Sequence, residues 1–169
     1  MKASKPLFSG RMIKLYREKR RLPNGVQIDL ELIKHTGAVL IVPFINRDKI
    51  VLIRQYRPVI KSYIWELPAG NINAREKPLA SAYRELVEET GYKARVIKKI
   101  GYIYPSPGYC TEKIMIYEAR GLIRGSSQAE EDEIITTKIF TRKDVSRLLK
   151  SGKIIDGKTI CGLKLAGVV

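Results

Sequence analysis

Residues 70–92 read GNINAREKPLASAYRELVEETGY, and three glutamates, Glu85, Glu88 and Glu89, fall within five positions of this stretch. The surrounding pattern predicts a helix, in which Glu85 and Glu89 are one turn apart and repel each other by roughly 0.2–0.5 kcal/mol. At about 100° per residue, the three side chains share an arc of roughly 100°. The chain carries a formal net charge of +15, so this acidic cluster requires a physical explanation.

The predicted helix has clear signals at both ends. Pro78 suits the first turn, because its missing N–H costs no hydrogen bond there, and Gly91 suits the left-handed residue that ends a helix. The apolar spacing predicts one buried face beside the glutamates. We expect that face to contain Leu79, Ala82, Tyr83, Leu86, Val87 and Thr90.

Two explanations fit the acidic cluster. The carboxylates could form a solvated surface, paired with Arg84 or Lys93, or they could bind Mg²⁺, which prefers carboxylate oxygens and retains waters. The loop before the helix favours metal, because it carries Glu76 and because Gly70 allows a sharp turn that brings backbone carbonyls towards the same point. The chain has one histidine and two cysteines, so any metal would be held by oxygen ligands.

The rest of the chain predicts a mixed α/β single domain. Residues 11–35 read as a hairpin around the turn at Asn24 and Gly25. Further strands are predicted at 37–45, 49–58, 94–106, 112–122 and 134–140. Helices are predicted within 141–152, with Gly152 as the stop, and within 156–166.

Composition narrows the class of protein. A chain of 169 residues is sufficient for one domain with a core, and its longest apolar run, 37–45, is too short to span a bilayer. The amino terminus lacks the apolar segment of a secretory signal. Two cysteines fit a reducing cytosol, so we expect a cytoplasmic protein. The positive charge favours a polyanionic partner, such as nucleic acid, anionic membrane or a phosphorylated small molecule, or else only a lysine-rich surface.

The opening stretch resembles the Nudix box, G-x5-E-x7-R-E-U-x-E-E-x-G-U, where U is a bulky apolar residue. Its defined positions are filled by Gly70, Glu76, Arg84, Glu85, Leu86, Glu88, Glu89, Gly91 and Tyr92. The resemblance implies a Nudix-type α/β/α sandwich, here with an N-terminal β-hairpin extension. It also implies hydrolysis of a nucleoside diphosphate linked to another group, with Mg²⁺ or Mn²⁺ as cofactor.

The resemblance also implies roles for individual residues. The expected metal ligands are Ala69 (through its carbonyl), Glu85, Glu88, Glu89 and Glu133. Glu88 is expected to contribute a ligand or a bridging water, and Arg84 to orient a glutamate. Glu76 supports the motif from behind.

The acidic loop at 126–133 allows two interpretations, a solvated surface or a second source of catalytic carboxylates. In the enzymes that the chain resembles, a loop here supplies a glutamate that activates water or completes the metal site. Glu131 and Glu133 are two residues apart, so an extended backbone places both on one side, and we favour them over Glu130 and Asp132. We expect Glu133 to be an accessory metal ligand and Glu131 the candidate base.

The flanking segments resemble the ADP-ribose pyrophosphatase branch of the Nudix family. RQYRP at 54–58, WELPAG at 65–70 and Pro107, fifteen residues beyond Tyr92, carry this resemblance. Arg57, Arg54 and Pro107 are the candidate substrate-binding residues of these segments. Arg57 is the better phosphate clamp, because a guanidinium can grip two oxygens; a surface ion pair is the alternative.

Other residues in these flanks receive separate interpretations. Glu66 resembles a position that contacts the substrate's ribose hydroxyls across a subunit boundary. Trp65 and His35 are expected to be structural.

We therefore expect a Nudix pyrophosphohydrolase that converts ADP-ribose to AMP and ribose 5-phosphate as a homodimer. The hairpin at 1–35 is expected to be a dimerisation segment, because its alternating apolar residues need a partner surface, and 36–169 the hydrolase domain. The alternatives are hydrolysis of another nucleotide sugar, of capped RNA or of dinucleoside polyphosphates, and an RNA-binding Nudix module. The module is disfavoured, since every motif glutamate is present and no base-stacking RNP-type segment is found.

Overall fold

A computed structural model describes residues 5–10, 13–125 and 134–169 of the chain. Within these ranges, no helix has the length and apolar character needed to cross a membrane. These described ranges contain ten strands and three helices.

The N-terminal segment forms a small antiparallel sheet. Strands β1 (Phe8–Ser9), β2 (Lys14–Arg21) and β3 (Gln27–Ile33) pair in the order β1-β2-β3. The predicted hairpin is thus present, with β1 added at its edge. At the turn, Gly25 adopts a positive φ. Backbone hydrogen bonds of Ile33 with Tyr109 and Thr111 attach this sheet to the rest of the chain.

Two further sheets form the body of the protein. The first has the order β7-β4-β9-β8, in which β4 (Ala38–Pro43) pairs parallel with β9 (Ile114–Arg124) and antiparallel with β7 (Ala69–Asn71). Its edge strand is β8 (Tyr92–Ile103), antiparallel to β9. The second sheet is antiparallel with the order β10-β5-β6, formed by β5 (Lys49–Arg57), β6 (Ser62–Glu66) and β10 (Ile135–Thr141).

The helices begin and end near the predicted positions. Helix α1 (Pro78–Thr90) starts with proline and ends at Gly91 in the left-handed conformation. Helix α2 (Arg142–Lys150) starts at a capping box between Thr141 and Asp144, and Gly152 behind it has positive φ. Helix α3 (Gly157–Leu165) is capped by the side chain of Asp156.

Strand β4 lies between two helical layers. Its successive side chains point to opposite faces, and all six of its residues are buried. Leu40 and Val42 pack in one core cluster with residues of α2 and α3. Val39 and Ile41 pack in another cluster with residues of α1. This arrangement confirms the predicted α/β/α sandwich with an N-terminal β-extension.

Two expectations about local structure need correction. The short strands β6 and β7 were not predicted within the segment around WELPAG. The buried face of α1 is also rotated from the predicted one, because Leu79 and Tyr83 are exposed. Their places on the inner side are taken by Ser81, Glu85 and Glu89. The helix packs against β4, β7 and β8, and the contact with β7 places Glu85 and Glu89 on the inner side.

The two residues expected to be structural have structural contacts. The Trp65 ring packs edge-on against Phe140, with 4.9 Å between ring centroids. His35 accepts a hydrogen bond at Nδ1 from the Gly37 N–H at 3.0 Å, which stabilises the turn before β4.

Candidate active site

The acidic side of α1 lies directly against strand β7. Glu85 and Glu89 are only 8% and 3% exposed. The Ala69 N–H donates a hydrogen bond to Glu89 Oε2 at 2.8 Å, so the first residue of β7 is joined to the last turn of the helix. The structure thereby brings together three of the residues predicted to hold metal.

A glycine is required at position 70 because the carboxylate of Glu85 occupies the space that a side chain at this position would fill. A Cβ built on Gly70 would lie 2.1 Å from Glu85 Cδ and within 2.3 Å of both carboxylate oxygens. Gly70 is a paired residue of β7, opposite Val39, and is not one of the glycines with positive φ. The expected sharp turn is therefore wrong, and the glycine serves to let a carboxylate touch the backbone.

Arg84 links the loop to the helix through three glutamates. Its guanidinium contacts Glu76 Oε1 at 3.0 Å, Glu85 Oε1 at 2.7 Å and Glu88 Oε2 at 2.7 Å. It also donates to the carbonyl of Asn71 at 3.1 Å. These carboxylates raise the pKa of Arg84, with Glu76 as the largest cause. Arg84 therefore contacts glutamates, as the resemblance implied, and its effect on catalysis stays a prediction.

Glu76 is held in its ionised form. Hydrogen bonds from Arg84, then from the Ser81 hydroxyl, lower the pKa of Glu76 from 4.5 to about 2. The Asn73 N–H donates to the same carboxylate at 3.1 Å, which closes the loop onto the first turns of α1. Glu76 thus stabilises the loop from outside the row of Glu85 and Glu89.

This lowered pKa predicts acid sensitivity of the loop. Because the folded-state pKa lies below the ordinary value, the stabilisation is present above about pH 4.5 and is lost as the pH falls through about 2. We expect Glu76→Gln to lower the free energy of unfolding at pH 6, by a difference that shrinks towards pH 2. Urea unfolding of both proteins across this range measures it.

The control for the acid-stability measurement is Glu31→Gln. Glu31 pairs with Arg17 at 2.6 Å, but both side chains are exposed, and exposed pairs contribute about 0–1 kcal/mol. Its variant should differ little from wild type at any pH. A destabilisation by Glu76→Gln that is equally large at pH 2 and pH 6 would contradict the prediction.

The oxygen atoms on the wall formed by α1 and β7 suit a hard divalent cation. Glu85 and Glu89 offer buried carboxylate oxygens beside the Ala69–Gly70 backbone, and such cations prefer oxygen ligands. Among the described residues, no three histidine, cysteine, aspartate or glutamate side chains form a complete metal cluster. The carboxylate of Glu88 forms an ion pair with Arg84. The predicted ligand Glu133, the candidate base Glu131, and the alternatives Glu130 and Asp132 lie outside the described residues.

A second cluster of charged side chains, besides the one around Arg84, surrounds Glu66, which is 1% exposed. Arg57 binds Glu66 Oε2 through Nε at 3.0 Å and through a terminal nitrogen at 2.7 Å. Lys158 Nζ binds Glu66 Oε1 at 2.7 Å and Asp156 Oδ1 at 3.0 Å. In the single chain, both oxygens of Glu66 are therefore engaged by cations. Its predicted contact with a ribose in a neighbouring subunit stays a prediction.

The two candidate arginines point to different surroundings. Arg57 lines the main cleft, whereas Arg54 is exposed and stacks over the Tyr63 ring at 4.9 Å. Pro107 is exposed in the turn after β8. In the same segment, the cleft is lined by Tyr104 and Pro105.

The charged cluster around Arg84 and the one around Glu66 both border one cleft of about 1100 Å³. Its walls come from β4, β5, β7, α1, the end of β8 and the start of α3. The lining residues include Arg57, Ala69, Gly70, Arg84, Glu85, Glu88, Tyr102, Tyr104, Asp156 and Lys158. The cleft therefore places carboxylates and cations around a volume suited to a small-molecule ligand.

Sequence reasoning missed Lys158 and Asp156. The sequence predicted a short helix within 156–166, but it did not indicate which residues the start of that helix would contact. Glu66 and Lys158 are 92 residues apart. The available signal was Glu66, because a carboxylate that is buried requires cationic partners.

Comparison with known proteins gives a family match. Residues 34–163 match the model of the NUDIX domain. A solved structure described as an ADP compounds hydrolase superposes with a TM-score of 0.84 at 25% identity, and the match covers 98% of this chain and 90% of that one.

Several relatives are similar along most of their length. The ADP-ribose pyrophosphatase of Bacillus subtilis is 36% identical over 159 residues, 93% of this chain and 86% of the relative. The methanol dehydrogenase activator of Bacillus methanolicus is 36% identical over 160 residues, 94% and 86% of the two chains. The ADP-ribose pyrophosphatase of Mycobacterium tuberculosis is 32% identical over 164 residues, 95% and 79%.

Proposed function

This chain belongs to the Nudix family and is a Nudix pyrophosphohydrolase, and from that premise we propose that its substrate is ADP-ribose, hydrolysed to AMP and ribose 5-phosphate. Two relatives that are named ADP-ribose pyrophosphatase, and that match nearly the whole chain, support this choice. The observation that carries the proposal is the wall formed by Glu85, Glu89 and the Ala69–Gly70 backbone. The same cleft contains Arg57.

The proposed metal is Mg²⁺, with Mn²⁺ as a possible substitute. Glu85, Glu89 and the Ala69 carbonyl would hold it, with Glu88 and Glu133 contributing further ligands or a bridging water. When bound, a divalent ion neutralises phosphate oxygens and makes water a stronger nucleophile near neutral pH. Nudix hydrolases are in general dependent on divalent metal.

The chain's own residues have separate tasks in this proposal. Arg84 holds Glu85 and Glu88 in place, so that their carboxylates do not need to reorganise during the reaction. Arg57 donates to a phosphate oxygen with N–H groups that Glu66 does not use. Glu131 accepts the proton of the attacking water. Glu85 and Glu89 would hold the cation that offsets their repulsion with the anionic diphosphate, and Arg57 would hold the diphosphate.

The substrate proposal is tested by a panel of nucleoside diphosphate derivatives. ADP-ribose, GDP-mannose, NADH, capped RNA and diadenosine polyphosphates are each incubated with the full chain and Mg²⁺, and phosphate release is read after phosphatase treatment. We expect ADP-ribose to have the highest kcat/KM and all turnover to stop with EDTA. Water labelled with ¹⁸O then identifies the attacked phosphorus.

Two outcomes of the panel would count against the substrate proposal. Preferential turnover of another compound would retain the enzyme class and replace the substrate. Salt-sensitive RNA binding without Mg²⁺-dependent turnover of any nucleotide would favour an RNA-binding module instead. The net charge of +15 is the feature that makes the RNA control necessary.

The loop glutamates have a distinct kinetic prediction. Glu131→Gln and Glu133→Gln should each lower kcat by about tenfold or more and raise KM less, because these groups act on water and metal rather than on substrate binding. Steady-state kinetics of both variants, beside Glu130→Gln, measures this. Unchanged rates in both, with a loss in Glu130→Gln, would show that the loop register is wrong.

We also propose a homodimer formed through residues 1–35, with 36–169 as the hydrolase domain. Two apolar side chains at the ends of the hairpin strands are open in the single chain, since Ile13 is 48% exposed and Val26 is 52% exposed. Leu15, Ile28 and Leu30 are half-buried. Leu32 is the one residue of β2 and β3 that is buried. Packing within one chain therefore leaves an apolar surface that a second subunit would cover. The two cysteines are free thiols, and we place the enzyme in the cytoplasm.

Removal of residues 1–35 should disrupt this dimer. We expect the full chain to be a dimer at micromolar concentration, and the truncated protein to be poorly soluble or a monomer with much weaker ADP-ribose binding. Light scattering and calorimetric titration measure the two properties. A fully active monomeric full chain, or normal binding by the truncated protein, would refute the role of the segment.

A further inference from the structure

The start of helix α3 is fixed to the segment that connects β6 with β7. Asp156 Oδ2 accepts hydrogen bonds from the Thr159 N–H at 3.0 Å and from its hydroxyl at 2.6 Å. The Thr159 hydroxyl oxygen in turn accepts from the Leu67 N–H at 2.9 Å. Thr159 is fully buried. The position of Lys158 relative to Glu66 is therefore set by neighbours on both sides.

Lys158 and Arg57 bind different oxygens of the same carboxylate. Lys158 takes Glu66 Oε1, and Arg57 takes Glu66 Oε2. Both cations line the cleft, whereas Glu66 lies behind them at 1% exposure. A buried carboxylate between two partly exposed cations holds their charges at a fixed separation.

Each cation retains donors that can serve a ligand. An ammonium has three N–H donors, and the described acceptors of Lys158 are Glu66 and Asp156. A guanidinium has five N–H donors, and Arg57 uses its Nε and one terminal nitrogen for Glu66. One ammonium proton and at least one terminal guanidinium group are therefore available to the cleft.

We propose that Lys158 is a further substrate-binding residue, which acts with Arg57 to hold the diphosphate of the substrate. Glu66 and Asp156 act as positioning residues that keep the two cations in place before substrate arrives. Such preorganisation lowers the entropy cost of binding, because a long lysine side chain is already ordered. The inference rests on the proposed function in one respect, that the cleft takes a nucleoside diphosphate derivative.

A purely structural role makes a different prediction. If Lys158 only neutralised Glu66, its loss would lower stability and weaken all ligands alike. If Lys158 binds phosphate oxygens, its loss weakens phosphate-bearing ligands and leaves adenosine, which carries no phosphate, unchanged. The two ligands therefore separate the roles.

The experiment compares Lys158→Gln, Lys158→Arg and wild type as full chains with Mg²⁺. Calorimetric titration with inorganic pyrophosphate and with adenosine gives the affinities, and thermal unfolding gives Tm. We expect Lys158→Gln to weaken pyrophosphate binding about tenfold, since hydrogen bonds between ionised groups are among the strong ones, and to leave adenosine binding unchanged. Lys158→Arg should retain most of the affinity, because it retains the charge. The matched control is Lys164→Gln, an exposed lysine of the same helix.

Kinetics provide the second measurement. In Lys158→Gln, KM for the substrate identified by the panel should rise about tenfold while kcat changes less. The proposal is overturned if wild type does not bind pyrophosphate, if Lys158→Gln binds it normally, if adenosine weakens equally, or if Lys158→Arg is no better than Lys158→Gln. Turnover of a compound other than ADP-ribose would refute the substrate proposal alone, because the pyrophosphate titration does not depend on it.

Discussion

Replacing Glu85 with glutamine is expected to lower kcat for ADP-ribose by roughly 1000-fold, and replacing Glu89 by a similar factor, because metal catalysis contributes several kcal/mol and each 1.4 kcal/mol is tenfold. Glutamine keeps the shape of the side chain and removes the ligand charge. The Ala69 N–H that binds Glu89 can still donate to an amide oxygen, so the fold should be retained. Steady-state kinetics across a Mg²⁺ titration should also show that each variant needs more metal.

Glu118→Gln is the control for these two variants. Glu118 pairs with Arg120 at 3.1 Å on strand β9 and does not line the cleft. Its variant should keep wild-type kcat and the wild-type requirement for Mg²⁺. Near-normal turnover by folded Glu85→Gln and Glu89→Gln proteins would show that this wall of α1 does not hold the metal.

Gly70→Ala is expected to lower kcat by about 100-fold. The added methyl would lie 2.1 Å from Glu85 Cδ, far inside a normal carbon contact, so the carboxylate must move by more than 1 Å. A displacement of that size costs about 100-fold in a positioned catalytic group. The defect should appear in kcat and in metal affinity, and the crystal structure of the variant should show Glu85 turned away from β7.

Gly108→Ala is the matched control, because nothing lies within 4 Å of a Cβ at Gly108. That variant should keep its activity. Thermal unfolding of both proteins separates loss of the site from loss of the fold. Wild-type kcat and metal affinity in Gly70→Ala would show that Glu85 can function from another position.

Local signals predicted the bounds of helix α1 well. Pro78 and Gly91 act through backbone geometry at the helix ends, and the structure begins and ends α1 at these residues. The spacing of Glu85 and Glu89 places them on one side of any helix. These features depend on a few neighbouring residues, so they are legible in the sequence.

The rest of the site depends on contacts between distant segments. The inner face of α1 was predicted from apolar spacing, but contact with β7 turns Glu85 inwards and leaves Leu79 exposed. Strand β7 itself has three residues, too few for a periodic signal. Lys158 meets Glu66 where Thr159 binds Leu67, and no local pattern indicates that pairing.

The bond between Thr159 and Leu67 also has a consequence for how the enzyme matures. Leu67 and Thr159 are separated by 92 residues, so α1 leaves the ribosome before α3 is complete. Until then, Glu66 has Arg57 but not Lys158, and the cleft lacks one wall. Such long-range closure is slow relative to local helix formation. Completion of α3 (Gly157–Leu165) is therefore the step that adds Lys158 to the partners of Glu66 and closes this side of the cleft.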